Sequence, residues 1–130
     1  MTSLFRKTNL FFAAVLSTVA VSTASADDAA IAKGKELYNG IGACASCHGA
    51  LGAGDGVAAA ALEPKPRSFL AGTFKYDTDK DGKPGTETDL YNIVTDGAQK
   101  YGGSMMMVGR PDIPEADRKA IVQYVLSLKK

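Results

Sequence analysis

The sequence has one histidine, two cysteines and no tryptophan, and its 15 basic residues nearly balance its 14 acidic residues. The single histidine excludes a metal site that needs two imidazoles from this chain, and the two cysteines exclude a four-thiolate zinc site. The absence of a basic excess argues against a nucleic-acid-binding protein. With 130 residues, of which 45% are hydrophobic, the chain is expected to form one small globular domain.

The N-terminal segment has the features of a secretory signal peptide. A basic pair at residues 6–7 precedes an apolar stretch over residues 10–21, which is short for a membrane span. Residues 24–26 are Ala-Ser-Ala, the small-residue pattern that signal peptidase cleaves. We therefore expect residues 1–26 to be removed and residues 27–130 to form the mature domain in the periplasm. The alternative is a retained N-terminal anchor.

Helical periodicity predicts an all-α fold with three or more short helices. Apolar residues recur every three or four positions over residues 27–38 and again over residues 86–96, where Thr86 can cap the helix. A last helix is expected to begin near Pro114, since proline is tolerated in a first helical turn. Gly34 lies within the apolar stripe of the first helix, which indicates close approach of another element.

Residues 44–48 are Cys-Ala-Ser-Cys-His, the spacing of a c-type haem attachment site. Two thiols one turn apart can add to the two vinyl groups on one edge of a porphyrin, and the adjacent imidazole is then directed at the iron. We therefore predict one haem c, attached through Cys44 and Cys47 and ligated by His48. The haem would also supply apolar contact area to a small domain.

Two other kinds of site use the same residue types. A thioredoxin-like disulfide between Cys44 and Cys47 needs a β-α-β setting, and no strand pattern lies nearby. Zinc needs further ligands beyond these two thiols and His48, and the sequence has no second Cys or His pair. The sequence therefore favours haem.

The iron needs a sixth ligand or has an open position. Met105, Met106 and Met107 lie together in a glycine-flanked segment, residues 102–112, which we call the methionine loop. A methionine is usually core filler, but three in a row fit neither a helix face nor a strand face. A thioether ligand would raise the reduction potential of the iron.

The chain resembles a monohaem class I c-type cytochrome, and also the cytochrome c domains of some terminal oxidase subunits. The resemblance covers nearly all of residues 27–130 and includes the Cys-x-x-Cys-His run. Its other segments are Gly34-x-x-x-Tyr38, Gly52-x-Gly54-Asp55-Gly56, Pro64-Lys65-Pro66-Arg67-Ser68-Phe69, Asp89-Leu90 with Gly97, and Tyr124-Val125-x-Ser127-Leu128.

The resemblance implies a cytochrome c fold in which the first and last helices cross, with Gly34 against Tyr124. It also implies that the sixth ligand is a methionine of the methionine loop, usually one followed by proline. Val108 follows the triplet here, so proline does not select among the three. The spacing to Tyr124 leaves Met106 or Met107, and a Gly-x-x-Met pattern selects Met106, which we predict.

The family also has a proline carbonyl that accepts a hydrogen bond from the axial imidazole, which fixes the ring and tunes the iron. Pro64 and Pro66 are the candidates, and we predict Pro66; both could instead simply end a helix. Arg67 could contact a haem propionate or be an ordinary solvated arginine. The expected wall of the haem site consists of Phe69, Phe74, Tyr76, Tyr91, Ile93 and Val94.

These observations predict a monomeric, exported one-electron carrier with His48 and Met106 as axial ligands, rather than an enzyme. Its partners would be a redox donor and acceptor among exported or membrane-bound enzymes, in short-lived encounters. One alternative is a five-coordinate haem c that senses a gas or acts as a peroxidase, although no second histidine is present for acid–base chemistry. Another is a haem subunit of a dehydrogenase or oxidase complex.

An acidic segment raises a separate possibility. Asp77, Asp79, Asp81 and Gly82 match the start of an EF-hand calcium loop. The twelfth position of that loop holds Thr88 instead of the usual glutamate. A solvated turn is therefore the preferred interpretation, and calcium binding is the alternative.

Overall fold

The computed structural model describes residues 24–130, so the predicted signal peptide lies almost entirely outside the described residues. That part of the chain contains four α-helices: α1 Ala26–Asn39, α2 Ala45–His48, α3 Glu87–Asp96 and α4 Glu115–Ser127. Two 3₁₀ turns, Ala59–Ala61 and Gln99–Tyr101, lie in the connecting segments. Over residues 24–130 no strand forms, and one antiparallel bridge joins Gly97 to Val108. The prediction of an all-α fold is confirmed.

The crossing of α1 and α4 forms the centre of the fold. Gly34 lies at the crossing, where a Cβ atom would come within 1.9 Å of the Ala120 carbonyl oxygen and 2.9 Å of Tyr124 Cβ. Only glycine allows the two backbones to approach this closely, as its place in the apolar stripe indicated. Tyr38 and Tyr124 pack edge to face beside it, with ring centroids 5.2 Å apart.

Both of these tyrosines also reach the segment that follows the cysteine motif. The hydroxyl of Tyr38 donates to the Gly49 carbonyl at 2.8 Å, and that of Tyr124 donates to the Ala50 carbonyl at 3.0 Å. The helix crossing thus fixes the backbone immediately after His48.

Local capping chemistry sets the start of two helices. Ser25 and Asp28 form a capping box at α1, and Thr86 and Asp89 form one at α3. α4 begins at Glu115, beside Pro114 as expected, and Pro114 is the N-cap residue just outside the helix. Within residues 24–130, every helix is too short or too polar to cross a membrane.

Candidate haem-binding site

The cysteine motif forms a single helical turn, α2, which the sequence pattern did not predict as a separate helix. The amide of His48 donates to the Cys44 carbonyl at 2.9 Å, closing the turn. The amide of Gly56 donates to the Cys47 carbonyl, and a Cβ on Gly56 would lie 2.3 Å from the Ser46 oxygen. The glycine loop after the motif therefore packs directly against this turn and fixes its orientation.

The two thiols are free and partly buried, and they are not joined in a disulfide. Burial raises the pKa of the Cys44 thiol to about 11, although the nearby Arg110 guanidinium partly opposes this effect. Reactive redox cysteines have lowered pKa values that favour the thiolate. Cys44 therefore lacks the lowered pKa that is typical of a reactive redox thiol.

The imidazole of His48 is held by a hydrogen bond and by a stacking contact. Its Nδ1 atom lies 3.1 Å from the carbonyl oxygen of Arg67, and its ring stacks on Phe69 with centroids 4.5 Å apart. Because a carbonyl only accepts, Nδ1 carries the proton and Nε2 keeps its lone pair. Burial lowers the pKa of His48, against the opposing effect of the Arg67 hydrogen bond, and so favours the neutral ring that binds metals.

The acceptor of this hydrogen bond is Arg67, not the predicted Pro66. Any residue provides a backbone carbonyl, and the path of the chain turns the carbonyl one position beyond Pro66 towards His48. Pro64 and Pro66 nevertheless both line the cleft described next. The Arg67 side chain donates to the Thr73 carbonyl and lies over the Tyr76 ring.

The His48 side chain borders a largely apolar cleft whose walls come from α2, α3, α4 and the segments that connect them. The helices contribute Cys47 and His48 from α2, Leu90, Ile93 and Val94 from α3, and Val122 and Val125 from α4. The connecting segments contribute Leu62, the stretch from Pro64 to Arg67, Phe69, Phe74, Lys75, Tyr76, Ala98, Ser104, Met106 and Met107. Val122 and Val125 of α4 were not among the expected wall residues, and neither were Leu62, Leu90, Ala98 and Ser104.

One expected wall residue lies elsewhere. Tyr91 is turned away from the cleft, and its hydroxyl accepts a hydrogen bond from Arg118 at 2.7 Å. On α3 it follows Leu90 by one position, which rotates its side chain about 100° around the helix axis towards α4. The other five expected wall residues, Phe69, Phe74, Tyr76, Ile93 and Val94, all line the cleft.

The methionine loop brings two of its three thioethers to the cleft. Met106 and Met107 line it, whereas Met105 does not and is 67% exposed. Met106 is itself 58% exposed, and Met107 is half-buried. Met106 and Met107 are therefore the methionines of this loop that can contact a group bound in the cleft, and Met105 is not.

The acidic segment is organised by its own hydrogen bonds. The carboxylate of Asp77 accepts from the amides of Asp81 and Gly82, at 3.1 and 2.9 Å. Carboxylate oxygens of Asp77, Asp79 and Asp89 lie within 4.8 Å of one another, so Asp81 is not part of this group. Asp81, which the alternative calcium-loop interpretation included, is thus not in this group, and Asp89, which it did not include, is.

Asp89 is a buried residue beside the cleft whose role the sequence did not reveal. It is 1% exposed and borders the cleft. Its carboxylate accepts from the amide and hydroxyl of both Thr78 and Thr86. Burial alone would raise the pKa of Asp89, but the hydrogen bonds from Thr78 and Thr86 outweigh it and lower the pKa to about 2.

The cleft fits a flat, apolar prosthetic group that is attached at one edge. Free thiols lie at both ends of one helical turn, and a neutral imidazole with an available Nε2 borders the same cleft. Thioethers lie among the wall residues, and aliphatic and aromatic side chains form most of the rest. Imidazole and thioether are ligands suited to iron in haem rather than to a hard cation, and the two thiols are placed to attach a porphyrin edge.

Comparison with known proteins agrees with this chemistry. The family model described as Cytochrome c matches residues 31–129. A solved structure from the Kuenenia stuttgartiensis reducing HAO-like protein complex Kustc0457/Kustc0458 is similar, with 28% sequence identity and a TM-score of 0.64. The similarity covers 79% of this chain but only 45% of that chain, so this chain corresponds to less than half of its structural neighbour. No curated protein matches the sequence.

Proposed function

Since the chain belongs to the cytochrome c family, a haem c electron-transfer family, we propose that it is a one-electron carrier with a single haem c and His48 and Met106 as axial ligands. The observation that carries the proposal is that His48, Cys47 and Met106 border one apolar cleft. Cys44 and Cys47 would hold the group through thioether bonds. Bound there, haem supplies an iron that accepts and returns one electron.

The protein residues keep this site rigid. The Arg67 carbonyl and the Phe69 ring fix the orientation of the His48 imidazole. The apolar wall excludes water, and the packed helix crossing holds the backbone after His48 through the hydroxyls of Tyr38 and Tyr124. A site whose ligands do not move between oxidation states has little reorganisation to overcome, which suits electron transfer.

Absorption spectra of the holoprotein test this function. The protein is made in a host with haem-attachment machinery and is measured oxidised, reduced, and reduced under carbon monoxide. We expect a c-type spectrum that carbon monoxide leaves unchanged, because a thioether fills the sixth position. A high-spin spectrum that shifts with carbon monoxide would support the five-coordinate sensor or peroxidase instead.

We also propose export to the periplasm, which the basic, apolar and small-residue pattern of residues 1–26 supports. Mass spectrometry of the protein from a periplasmic extract is expected to give the mass of residues 27–130 with one haem. A protein that keeps residues 1–26 and sediments with membranes would instead support an anchored form.

A second candidate is a haem subunit of an oxidoreductase complex. The observation that favours it is the similarity to one chain of a reducing HAO-like protein complex, of which this chain matches 45%. Native purification without crosslinking distinguishes the two functions. A carrier is expected to migrate as a monomer, whereas a subunit would elute with a stoichiometric redox partner.

A further inference from the structure

The backbone of the methionine loop is fastened to the end of α3. The amide of Ala98 donates to the Met107 carbonyl at 3.0 Å, and the amide of Arg110 donates to the Val94 carbonyl at 2.8 Å. A Cβ on Gly109 would lie 2.5 Å from the Thr95 oxygen, so the loop backbone lies directly on the helix end. These contacts fasten the side of the loop that faces α3. The side that faces away from α3 has a second attachment.

That second attachment is the side chain of Arg110. Its Nη1 atom donates to the carbonyls of Ile41 and Gly42, at 2.8 and 3.1 Å. These residues precede Cys44 and lie 69 and 68 positions before Arg110 in the sequence. The Nε and Nη2 atoms form a bidentate pair with Asp112, at 2.9 and 2.8 Å. One guanidinium therefore joins the methionine loop to the haem-attachment segment, residues 40–48.

Apolar burial contributes little to holding this loop. Met105, Met106 and Val108 are all more than half exposed, at 67%, 58% and 67%. Segments with few buried apolar contacts open locally at low free-energy cost. Hydrogen bonds from a charged donor to backbone carbonyls are individually stronger than neutral ones, so they have a large share in closing such a loop.

We propose that Arg110 is a positioning residue that keeps the methionine loop closed against the haem-attachment segment, and so retains Met106 on the iron. The inference rests on the proposed His/Met ligation. Arginine is required because its planar fork presents donors in two directions, here to Asp112 and to the Ile41 and Gly42 carbonyls. A lysine ammonium is a single point charge at the end of a flexible stem and cannot occupy both directions at once.

The test uses the holoprotein and the variant Arg110→Lys. We expect hydrogen exchange at the Ala98 and Gly103 amides, which bond within and beside the loop, to accelerate about tenfold. We expect the wild type to bind carbon monoxide only over exposures much longer than those of the spectral test, and the reduced variant to bind it about tenfold faster, because the loop opens more often. Exchange of the α1 and α4 amides, which report on the crossing of these helices, is expected to stay unchanged.

Arg118→Lys is the matched control. Arg118 donates to the carbonyl of Pro111 within the methionine loop, to that of Ile113 and to the Tyr91 hydroxyl, but makes no hydrogen bond to residues 40–48, so it controls for loss of a guanidinium contact on the loop that does not reach the haem-attachment segment. We expect it to leave the rate of carbon monoxide binding close to that of the wild type. Asp112→Asn is the second test variant if Arg110→Lys does not fold, and we expect a smaller acceleration of exchange and of carbon monoxide binding from it.

Three results would overturn the inference, and they differ from one another. Unchanged exchange at Ala98 and Gly103 in Arg110→Lys would show that the guanidinium does not hold the loop. Faster exchange with unchanged carbon monoxide binding would show that it holds the loop but not the ligand. Rapid carbon monoxide binding by the wild type would instead show that the proposed His/Met ligation has failed, and the inference with it.

Discussion

The imidazole of His48 stacks on the ring of Phe69, with centroids 4.5 Å apart and 23° between the ring planes. Phe69 is buried, and its own ring also packs on Phe74 at 5.9 Å. The stack and the hydrogen bond to the Arg67 carbonyl together fix the plane of the His48 ring. Phe69 is thus both a core residue and part of the support for the His48 imidazole.

We expect Phe69→Ala to lower the free energy of unfolding by ~3 kcal/mol, because it leaves a cavity beside His48. Phe69→Leu keeps most of the apolar volume and is expected to cost ~1 kcal/mol. Both variants remove the stacked ring, so both are expected to shift the reduction potential of the holoprotein. Denaturant unfolding and redox titration measure the two effects. A potential that stays constant in both variants would contradict the supporting role of the ring.

The packing around Gly34 determines whether Gly34→Ala stabilises or destabilises the protein. In an exposed helix position, alanine is more favourable than glycine by about 1 kcal/mol. At position 34 a Cβ would lie 1.9 Å from the Ala120 carbonyl oxygen, and a backbone atom cannot rotate away. We therefore expect Gly34→Ala to destabilise the protein by more than ~2 kcal/mol in thermal or denaturant unfolding.

The exposed position Ala32 in the same helix provides the control. Ala32→Gly is expected to destabilise by only ~1 kcal/mol, the ordinary difference in helix propensity. A stabilising effect of Gly34→Ala would mean that α1 and α4 lie further apart than the structure places them.

Local sequence patterns predicted most of the fold. The apolar spacing of residues 27–38 and 86–96, and the capping role of Thr86, are properties of neighbouring residues, and the helices form close to these limits. The Cys-x-x-Cys-His spacing is also local, so it could indicate haem from five residues alone. The glycine in the apolar stripe indicated close approach of another element, the family resemblance identified that element as the last helix, and the crossing at Gly34 is found where expected.

Features that depend on the path of the chain could not be predicted in this way. The carbonyl that reaches His48 belongs to Arg67 rather than Pro66, because a backbone oxygen carries no signal in the sequence. Tyr91 faces Arg118 because of its rotation about α3. The hydrogen bond from Arg110 to the Ile41 carbonyl joins segments 69 positions apart, so no short-range sequence pattern predicts it.

Asp89 is expected to make stability depend on pH in the acid range. Its folded pKa of about 2 lies below the ordinary value of 3.8, because the hydrogen bonds from Thr78 and Thr86 outweigh the effect of burial. A lowered folded pKa stabilises the protein above pH 4, and this contribution is lost as the pH falls from 4 to 2. We expect ~2 kcal/mol of stabilisation from this carboxylate at pH 7.

Asp89→Asn tests this assignment by denaturant unfolding at several pH values. The amide has one acceptor oxygen and presents an NH₂ group to donors, so we expect a loss of ~2 kcal/mol or more at neutral pH. The difference from the wild type is expected to narrow between pH 4 and pH 2. Glu87→Gln, an exposed carboxylate in the same helical turn, is the control. A difference that does not change with pH would contradict the lowered pKa.

The three methionines give the sharpest prediction about the site. Met106→Ala is expected to open the sixth position, so the reduced holoprotein binds carbon monoxide and its reduction potential falls. Met105→Ala is the matched control, because Met105 lies outside the cleft wall while Met106 and Met107 line it. We expect Met105→Ala and Met107→Ala to keep the wild-type spectrum. If only Met107→Ala opens the sixth position of the iron, then the half-buried Met107 is the ligand, and the Gly-x-x-Met spacing selects the wrong residue.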